Sequence, residues 1–469
     1  MENPFSGTKQ FYSSGQSILE LPVGDYIVRA FKGLEYEIGE SGIQIVSGET
    51  SDLRLTLRRW IKMSQKGWHG SDGHLHIARP VPELNPYIAR IMRAEDICIA
   101  NLLQWGLADR FHNAIQYAHG PEGIYEEDGY ILAPGQENPR THFLGHSIIL
   151  GLRTPIHVSD DYLIYRLFWE RAKDQGGLTG HAHLGGSHPT DIGGQYGLPV
   201  VVPHNLLNFI EVMQFSHSFY DTWYDMLNLG FRITPTGGSD YPCGGATIPG
   251  KERFYTRIAG NLTYEKWLDS VGKGRTFVTN GPMLQFNIND IDIGEELILQ
   301  KPGSVVLEGT VWFDSNRDDV LRIEVIENGV SVLSFPRTDD SGEIRFRVNH
   351  NIQETSWLAL KASGNKIDEP RHWGLIRSLD TSAAHSAPVY VTIEGSKPIK
   401  SNPRAKDVAR KWLARLEDLE KRLAEDKIKH LAERLAKFQQ DVASEEVLRR
   451  DRVALIDEIK VAKSYFTKI

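Results

Sequence analysis

Between residues 67 and 283 the chain alternates between two periodicities, and this limits the fold more than any other feature. Short apolar runs (HLHIA, ICIANLLQW, YILAPG, HSIILGL, LTGHAH, FIEVMQF, FRITPTGG and RTFVTNG) are separated by segments of helical spacing: NPYIARIMRAED, DDYLIYRLFWERAKDQGG, SFYDTWYDMLNLG and TYEKWLDSVGKG. The runs read as strands and the spaced segments as helices with one apolar face. Strand–helix alternation predicts an α/β fold with a mostly parallel sheet or a β/α barrel, whose strand C-termini converge and carry the site. The aromatics of LFWER and TWYDM are expected to pack in the core, because their setting is helical.

The flanks read differently. Residues 1–66 are expected to form a β-domain, part of a sandwich, with strands on either side of the LPVGD turn. Residues 284–397 return to strand patterns with a hairpin turn at ENGVS, and a second β-sandwich is expected there. Residues 398–469 begin as a Pro, Ser and Lys linker and continue almost free of Gly and Pro. Leu413, Leu416, Leu423, Leu431, Leu435 and Phe438 recur there at helical spacing. A helical hairpin or coiled coil is expected, packing on the protein or joining two subunits into a homo-oligomer.

Composition excludes several classes. No apolar run has the length of a membrane span. The first thirty residues lack the pattern of a signal peptide, so a cytoplasmic location is expected. Cys98 and Cys243 make no disulfide framework. The net charge is −8 with no basic stripe, so no nucleic-acid partner is expected. There is no GxSxG, Walker A loop, CxxC or HExxH, and no GxGxxG opening a helix.

Histidine, by contrast, is concentrated: 13 of the 17 lie between His69 and His217. In DGHLHIARP, a strand would place Asp72, His74 and His76 in one row on one face. Further candidates follow at or near predicted strand ends: Glu137, His146, His181 with His183, His217 and Asp240. Glu211 lies inside an apolar run, where a buried carboxylate needs a partner. Mixed imidazole and carboxylate ligands suit a divalent cation such as Zn²⁺, Mn²⁺ or Fe²⁺.

The order DGHLH, GQE, GH, GHAH, IEV, GGSD and GRTFVTNGP resembles the PHP (polymerase and histidinol phosphatase) metallohydrolase superfamily, in its carbaryl-hydrolase-like branch. With LPVGDYIVRAFKGLEYEI before it and the β-region ending in APVYV after it, the resemblance spans roughly residues 18–392. It implies a distorted β/α barrel with metals at the strand C-termini. His74, His76, Glu137, His146, His183 and Asp240 match its metal ligands, with His181 the rival of His183 and Glu137 the carboxylate that bridges two ions. Asp72 would accept the free N–H of an imidazole. Arg275 matches the branch without an assigned role.

Two departures reduce the expected count to one or two ions. Ala100 and Asn101 stand where many such proteins carry Asp and His, and Tyr241 and Pro242, not His, follow Asp240. The implied activity is hydrolysis of an ester, carbamate or amide bond in a small molecule, with His181 or His217 moving the proton. Two rivals stand beside it: phosphoester hydrolysis, and a non-catalytic carbohydrate- or surface-binding protein with a structural metal.

Overall fold

The computed structural model describes residues 11–106, 111–183, 196–214, 217–243, 248–367, 381–437 and 444–469. Phe438 and the side chain of His217 fall outside them. An antiparallel pair, β1 (Gly24–Ala30) and β2 (Gly39–Ile45), precedes the main body. Nine strands then carry the frame of the site: β3 (Trp68–Leu75), β4 (Ile99–Gly106), β5 (Tyr130–Thr141), β6 (Gly145–Leu150), β7 (Leu178–His181), β8 (Phe209–Gln214), β9 (Thr234–Gly237), β10 (Arg253–Arg257) and β11 (Thr276–Thr279).

The sheet is mixed rather than mostly parallel. β3, β4 and β5 run parallel, as do β7, β8 and β9. Between these triplets, β5–β6 and β6–β7 are antiparallel. The reason is local: only residues 142–144 join β5 to β6, too few for the crossover that a parallel pair requires. β10 runs antiparallel to both β3 and β11. Beyond β9 the chain bonds back to the first strand of the series. Asp240 N donates to His74 O at 2.9 Å, and His76 N donates to Tyr241 O at 2.7 Å.

Every residue of β4 and of β8 is buried, as expected of strands covered on both faces. Helix α1 (Asn85–Ala94) turns Ile88, Ala89 and Met92 inward against Leu75, Ala100 and Leu132. Helices α2 (Tyr165–Asp174), α3 (Tyr220–Asn228) and α4 (Tyr264–Gly272) place Phe168, Trp169, Trp223 and Trp267 in one contiguous apolar core. The aromatics of LFWER and TWYDM therefore pack inside.

A second β-region follows: β12 (Met283–Ile288), β13 (Gly303–Trp312), β14 (Asp318–Glu327), β15 (Val330–Pro336), β16 (Glu343–Ile352), β17 (Ser356–Lys366), β18 (Thr381–Ser386) and β19 (Val389–Ile393). Its strands share a core that includes Leu284, Leu307, Ile323, Val325, Leu358 and Leu360. β18 pairs with β11, so this region is hydrogen-bonded to the sheet that carries the site.

The C-terminus is helical: α5 (Pro403–Arg422), α6 (Ile428–Leu435) and α7 (Glu445–Phe466). Trp412, Leu416, Leu431, Leu455 and Ile459 belong to the same core as Trp223, so these helices fold back onto their own chain. Buried Asp451 fixes the docking by accepting a hydrogen bond from Leu163 N at 3.0 Å. Among the described residues, no helix is long and apolar enough to cross a membrane.

Candidate metal centre

The strand ends bring six of the candidate side chains into one buried group. His74 and His76 leave the end of β3 and come together, with their Nε2 atoms 3.1 Å apart. Asp240, past the end of β9, puts Oδ1 3.1 Å from His76 Nε2 and 3.3 Å from His74 Nε2. Glu137 of β5 reaches His76 Nε2 with Oε2 at 3.4 Å and His74 Nε2 with Oε1 at 3.8 Å. The same Oε1 is 2.7 Å from His146 Nδ1 and 3.6 Å from His183 Nε2. The donors thus fall into overlapping sets that could each hold an ion. His74, His76 and Glu137 make one, and Glu137, His146 and His183 another, with Glu137 common to both.

Backbone geometry and close packing set these positions. A register shift between Glu137 and Arg140 interrupts the β5–β6 ladder beside the cluster. Asp240 adopts the left-handed region (φ +57°), which Asp tolerates better than most residues. Gly238, in the GGSD motif, allows β9 to approach β3. A Cβ there would lie 2.5 Å from Glu211 Oε1 and 2.6 Å from His74 Cβ.

The imidazole orientations bear on whether a cation fits. His76 Nδ1 donates to Leu103 O at 2.8 Å, and His74 Nδ1 faces both Glu211 oxygens at 3.1 and 3.2 Å. In the neutral rings, Nδ1 therefore holds the proton and each Nε2 presents a lone pair. Two lone pairs 3.1 Å apart, facing carboxylate oxygens, repel one another unless a positive charge lies between them. With both rings neutral, the buried Asp240 Oδ1 faces only their Nε2 lone pairs and accepts no hydrogen bond. A buried oxygen left in this way signals a missing positive partner. The donor set fits a divalent cation of the kind nitrogen and oxygen ligands hold.

Protonation follows the same imbalance. Burial alone would lower His74, but Glu211, Asp240 and Glu137 outweigh it and push the ring up to about 10. His76 is raised in the same way by Asp240 and Glu137, against its burial. Burial acts to raise Glu137, yet the Arg140 cation and His146 hold it well below the usual carboxylate range. His146 is lowered well below the ordinary imidazole range by burial and by Arg140.

Glu211 turns out to be the orienting carboxylate. It takes the Nδ1 side of His74 and also accepts from His183 N at 3.0 Å. The expectation that Asp72 accepts an imidazole N–H is corrected. Its carboxylate accepts from His74 N, Ser239 N, Ser239 Oγ and Gly250 N at 3.0, 3.1, 2.6 and 2.7 Å. A fully buried carboxylate takes the nearest donors, and here these are three backbone N–H groups and the Ser239 hydroxyl, from β3 and from the segment after β9. Asp72 therefore clamps the His74 and Asp240 segments together.

His181 is also corrected. Its Nδ1 donates to Ala182 O at 2.9 Å and its Nε2 faces Leu144 O at 3.5 Å, away from the metal sets. Burial, with His183 adding to it, pushes it down to about 4, a poor value for moving protons near neutrality. The backbone of His217 pairs with Gln214, and its side chain lies outside the described residues. Arg275 pairs with Glu295 at 3.0 Å, in a different part of the fold.

Two residues were not anticipated from sequence. Arg140 lies over the Trp105 ring at 4.1 Å and faces Glu137 at 3.3 Å, with Nη1 buried and without a partner. Cys243 groups with His76 and Asp240. The signal for Arg140 was its place three residues after Glu137. Cys243 gave no signal except its nearness to Asp240.

No family model and no curated protein matches the chain. Among solved structures, a two-domain protein of Bacteroides vulgatus, described as containing a predicted PHP-like metal-dependent phosphoesterase, is similar over 70% of this chain and 96% of its own. The identity is 11% and the TM-score 0.31. At that distance, the reading of the site rests on its own geometry.

Proposed function

We propose that this chain is a metal-dependent hydrolase of the PHP type, built on a distorted β/α barrel and holding one or two divalent ions. The observation that supports it is the convergence of His74 Nε2, His76 Nε2 and Asp240 Oδ1 within 3.3 Å of one another, with both Nδ1 positions already engaged. His74, His76, Asp240 and Glu137 would hold one ion. Glu137, His146 and His183 would hold the other, with Glu137 bridging. When bound, such a cation acts as a Lewis acid and lowers the pKa of a coordinated water to about 7. Glu211 fixes the His74 ring, and Asp72 fixes the segments that carry His74 and Asp240.

The resemblance favours an ester, carbamate or amide bond in a small-molecule substrate. Arg140 favours a second reading. A guanidinium with a free buried N–H beside the cluster can take an anionic oxygen, which a phosphoester offers and a neutral carbamate does not.

Elemental analysis of the wild type beside His74→Ala and Asp240→Ala tests the reading. About one or two equivalents of transition metal are expected in the wild type, falling in both variants. A wild type that holds no metal and takes none up on reconstitution would overturn it, together with the structural-metal alternative. A panel of aryl esters, carbamates and phosphates then separates the bond types. Activity confined to phosphates and lost in Arg140→Ala would place the second reading first.

A further inference from the structure

We infer that the Cys243 thiol is a ligand of the ion held by His76 and Asp240. This rests on the metal reading above and goes beyond it, because it adds sulfur to a site otherwise built of nitrogen and oxygen. The ligand atoms of His76, Asp240 and Cys243 all lie within 4.8 Å of one another, close enough to share one cation after small side-chain shifts. Asp240 bears on the same point: the residue is only 7% exposed, and its Oδ1, which faces His74 Nε2 and His76 Nε2 at 3.3 and 3.1 Å, accepts no hydrogen bond and is open to a cation.

The backbone holds the thiol in place. Cys243 N donates to Asp240 O at 2.6 Å, closing a tight turn that folds the cysteine back beside the aspartate. Hydrogen bonds from Asp240 N to His74 O and from His76 N to Tyr241 O fasten that turn to β3. Cys98, the other thiol, belongs to none of the metal-competent groups among the described residues. It serves as an internal control.

A thiolate ligand narrows the cofactor class. Sulfur favours zinc, cobalt or ferrous iron over manganese, magnesium or calcium, which prefer oxygen. At the His76 end of the cluster, the ion is therefore a borderline-soft metal.

The test uses the full-length protein, stripped of metal and reloaded with Co²⁺ alone. Absorbance is read in the near-ultraviolet, where sulfur-to-cobalt charge transfer appears, and cobalt is counted by elemental analysis. Wild type and Cys98→Ser should show the band. Cys243→Ser should lose it while still taking up cobalt, with affinity weaker by at least about tenfold. Cobalt uptake without the band in wild type, or a band that persists in Cys243→Ser, would overturn the inference and leave the metal reading standing. No cobalt uptake by wild type would overturn both.

Should Cys243→Ser fail to fold, alkylation of the wild type gives the same answer. Zn²⁺ should slow labelling of Cys243 by iodoacetamide, read by mass spectrometry, and leave Cys98 unchanged. Equal labelling of Cys243 with and without Zn²⁺ would sink the assignment.

Discussion

Two histidines among the described residues are completely buried, and they have opposite chemistry. His74, in the cluster, and His385, where β18 meets α3, are both 0% exposed. His385 Nδ1 donates to Ser386 O at 2.8 Å, and its Nε2 accepts from the Tyr224 hydroxyl. Tyr220 and Trp223 pack on its ring at 4.5 and 5.1 Å. Burial, with Lys361 adding to it, pushes it down to about 3, so it is neutral and satisfied. His74 is held at Nδ1 by Glu211, and its other nitrogen faces another imidazole and two carboxylates. Burial is common to both. What separates a candidate ligand from a core histidine is an Nε2 with no donor to meet it and carboxylates converging on it.

The sharpest way to break this comparison is at Glu137, shared by two of the metal-competent sets. Glu137→Ala should lower metal affinity by more than about a hundredfold, beyond the range usual for outer-shell partners. His385→Ala should leave metal content unchanged. Equilibrium dialysis with zinc measures both. Equal losses in the two variants would mean that the cluster is no more a metal site than the His385 pocket.

The second test runs the other way. His385→Ala removes a ring packed among aromatics and strands the Tyr224 hydroxyl in a buried pocket. A destabilisation of about 2–4 kcal/mol is expected in urea unfolding. Loss below about 0.5 kcal/mol, the usual scale of surface substitutions, would show that the pocket relaxes around the gap and that His385 is not the structural member of the pair.

The third test uses pH, where the two histidines carry opposite signs. His385 sits at about 3 in the folded protein against an ordinary 6.5, so the unfolded chain binds more protons between those values. Its contribution to stability is complete above 6.5 and is lost as pH falls towards 3. His74 sits at about 10 against 6.5, so its contribution in chelator-treated protein is complete below 6.5 and is lost as pH rises through 10. Each limb approaches about 1.4 kcal/mol per pH unit at its steepest. Urea midpoints across pH, with and without chelator, should show the alkaline limb only when metal is removed. His385→Asn should blunt the acid limb and leave the alkaline one. An alkaline limb unchanged by added metal would count against a cation at His74.

How much of this was legible in the sequence depends on range. The helices were, because Phe168, Trp169 and Trp223 sit at positions whose spacing alone predicts burial. Glu211 was legible too: a carboxylate within FIEVMQ had to find a partner, and it found His74. The antiparallel β5–β6 hairpin was not, since an apolar run looks the same in either direction and only its short link betrays it. His181 and His183 share the GHAH motif, and the turn of the chain after β7, where His183 takes φ +30°, decides which one meets Glu137. Strand alternation puts Asp72 in the row of His74, and the family resemblance implied that it accepts an imidazole N–H. The three-dimensional path of the segment after β9 brought Ser239 and Gly250 to it instead.

That clamp supplies the smallest effect and the finest probe. Ser239→Ala removes one of the four hydrogen bonds to the Asp72 carboxylate, the one at 2.6 Å, and leaves three backbone donors in place. A bond to a charged group contributes about 1.5–3 kcal/mol, and partial compensation by the remaining donors should bring the loss to about 1 kcal/mol. Asp72 touches none of the ligand nitrogens, so metal affinity should fall by less than about tenfold, below the range for groups that orient a ligand directly. Calorimetric titration of zinc into Ser239→Ala measures the second quantity and urea unfolding the first. A large affinity loss with little change in stability would mean that Asp72 tunes the ligands themselves. The reverse pattern fits a brace that keeps the ends of β3 and β9 together and leaves the choice of proton or cation to Glu211, Glu137 and Asp240.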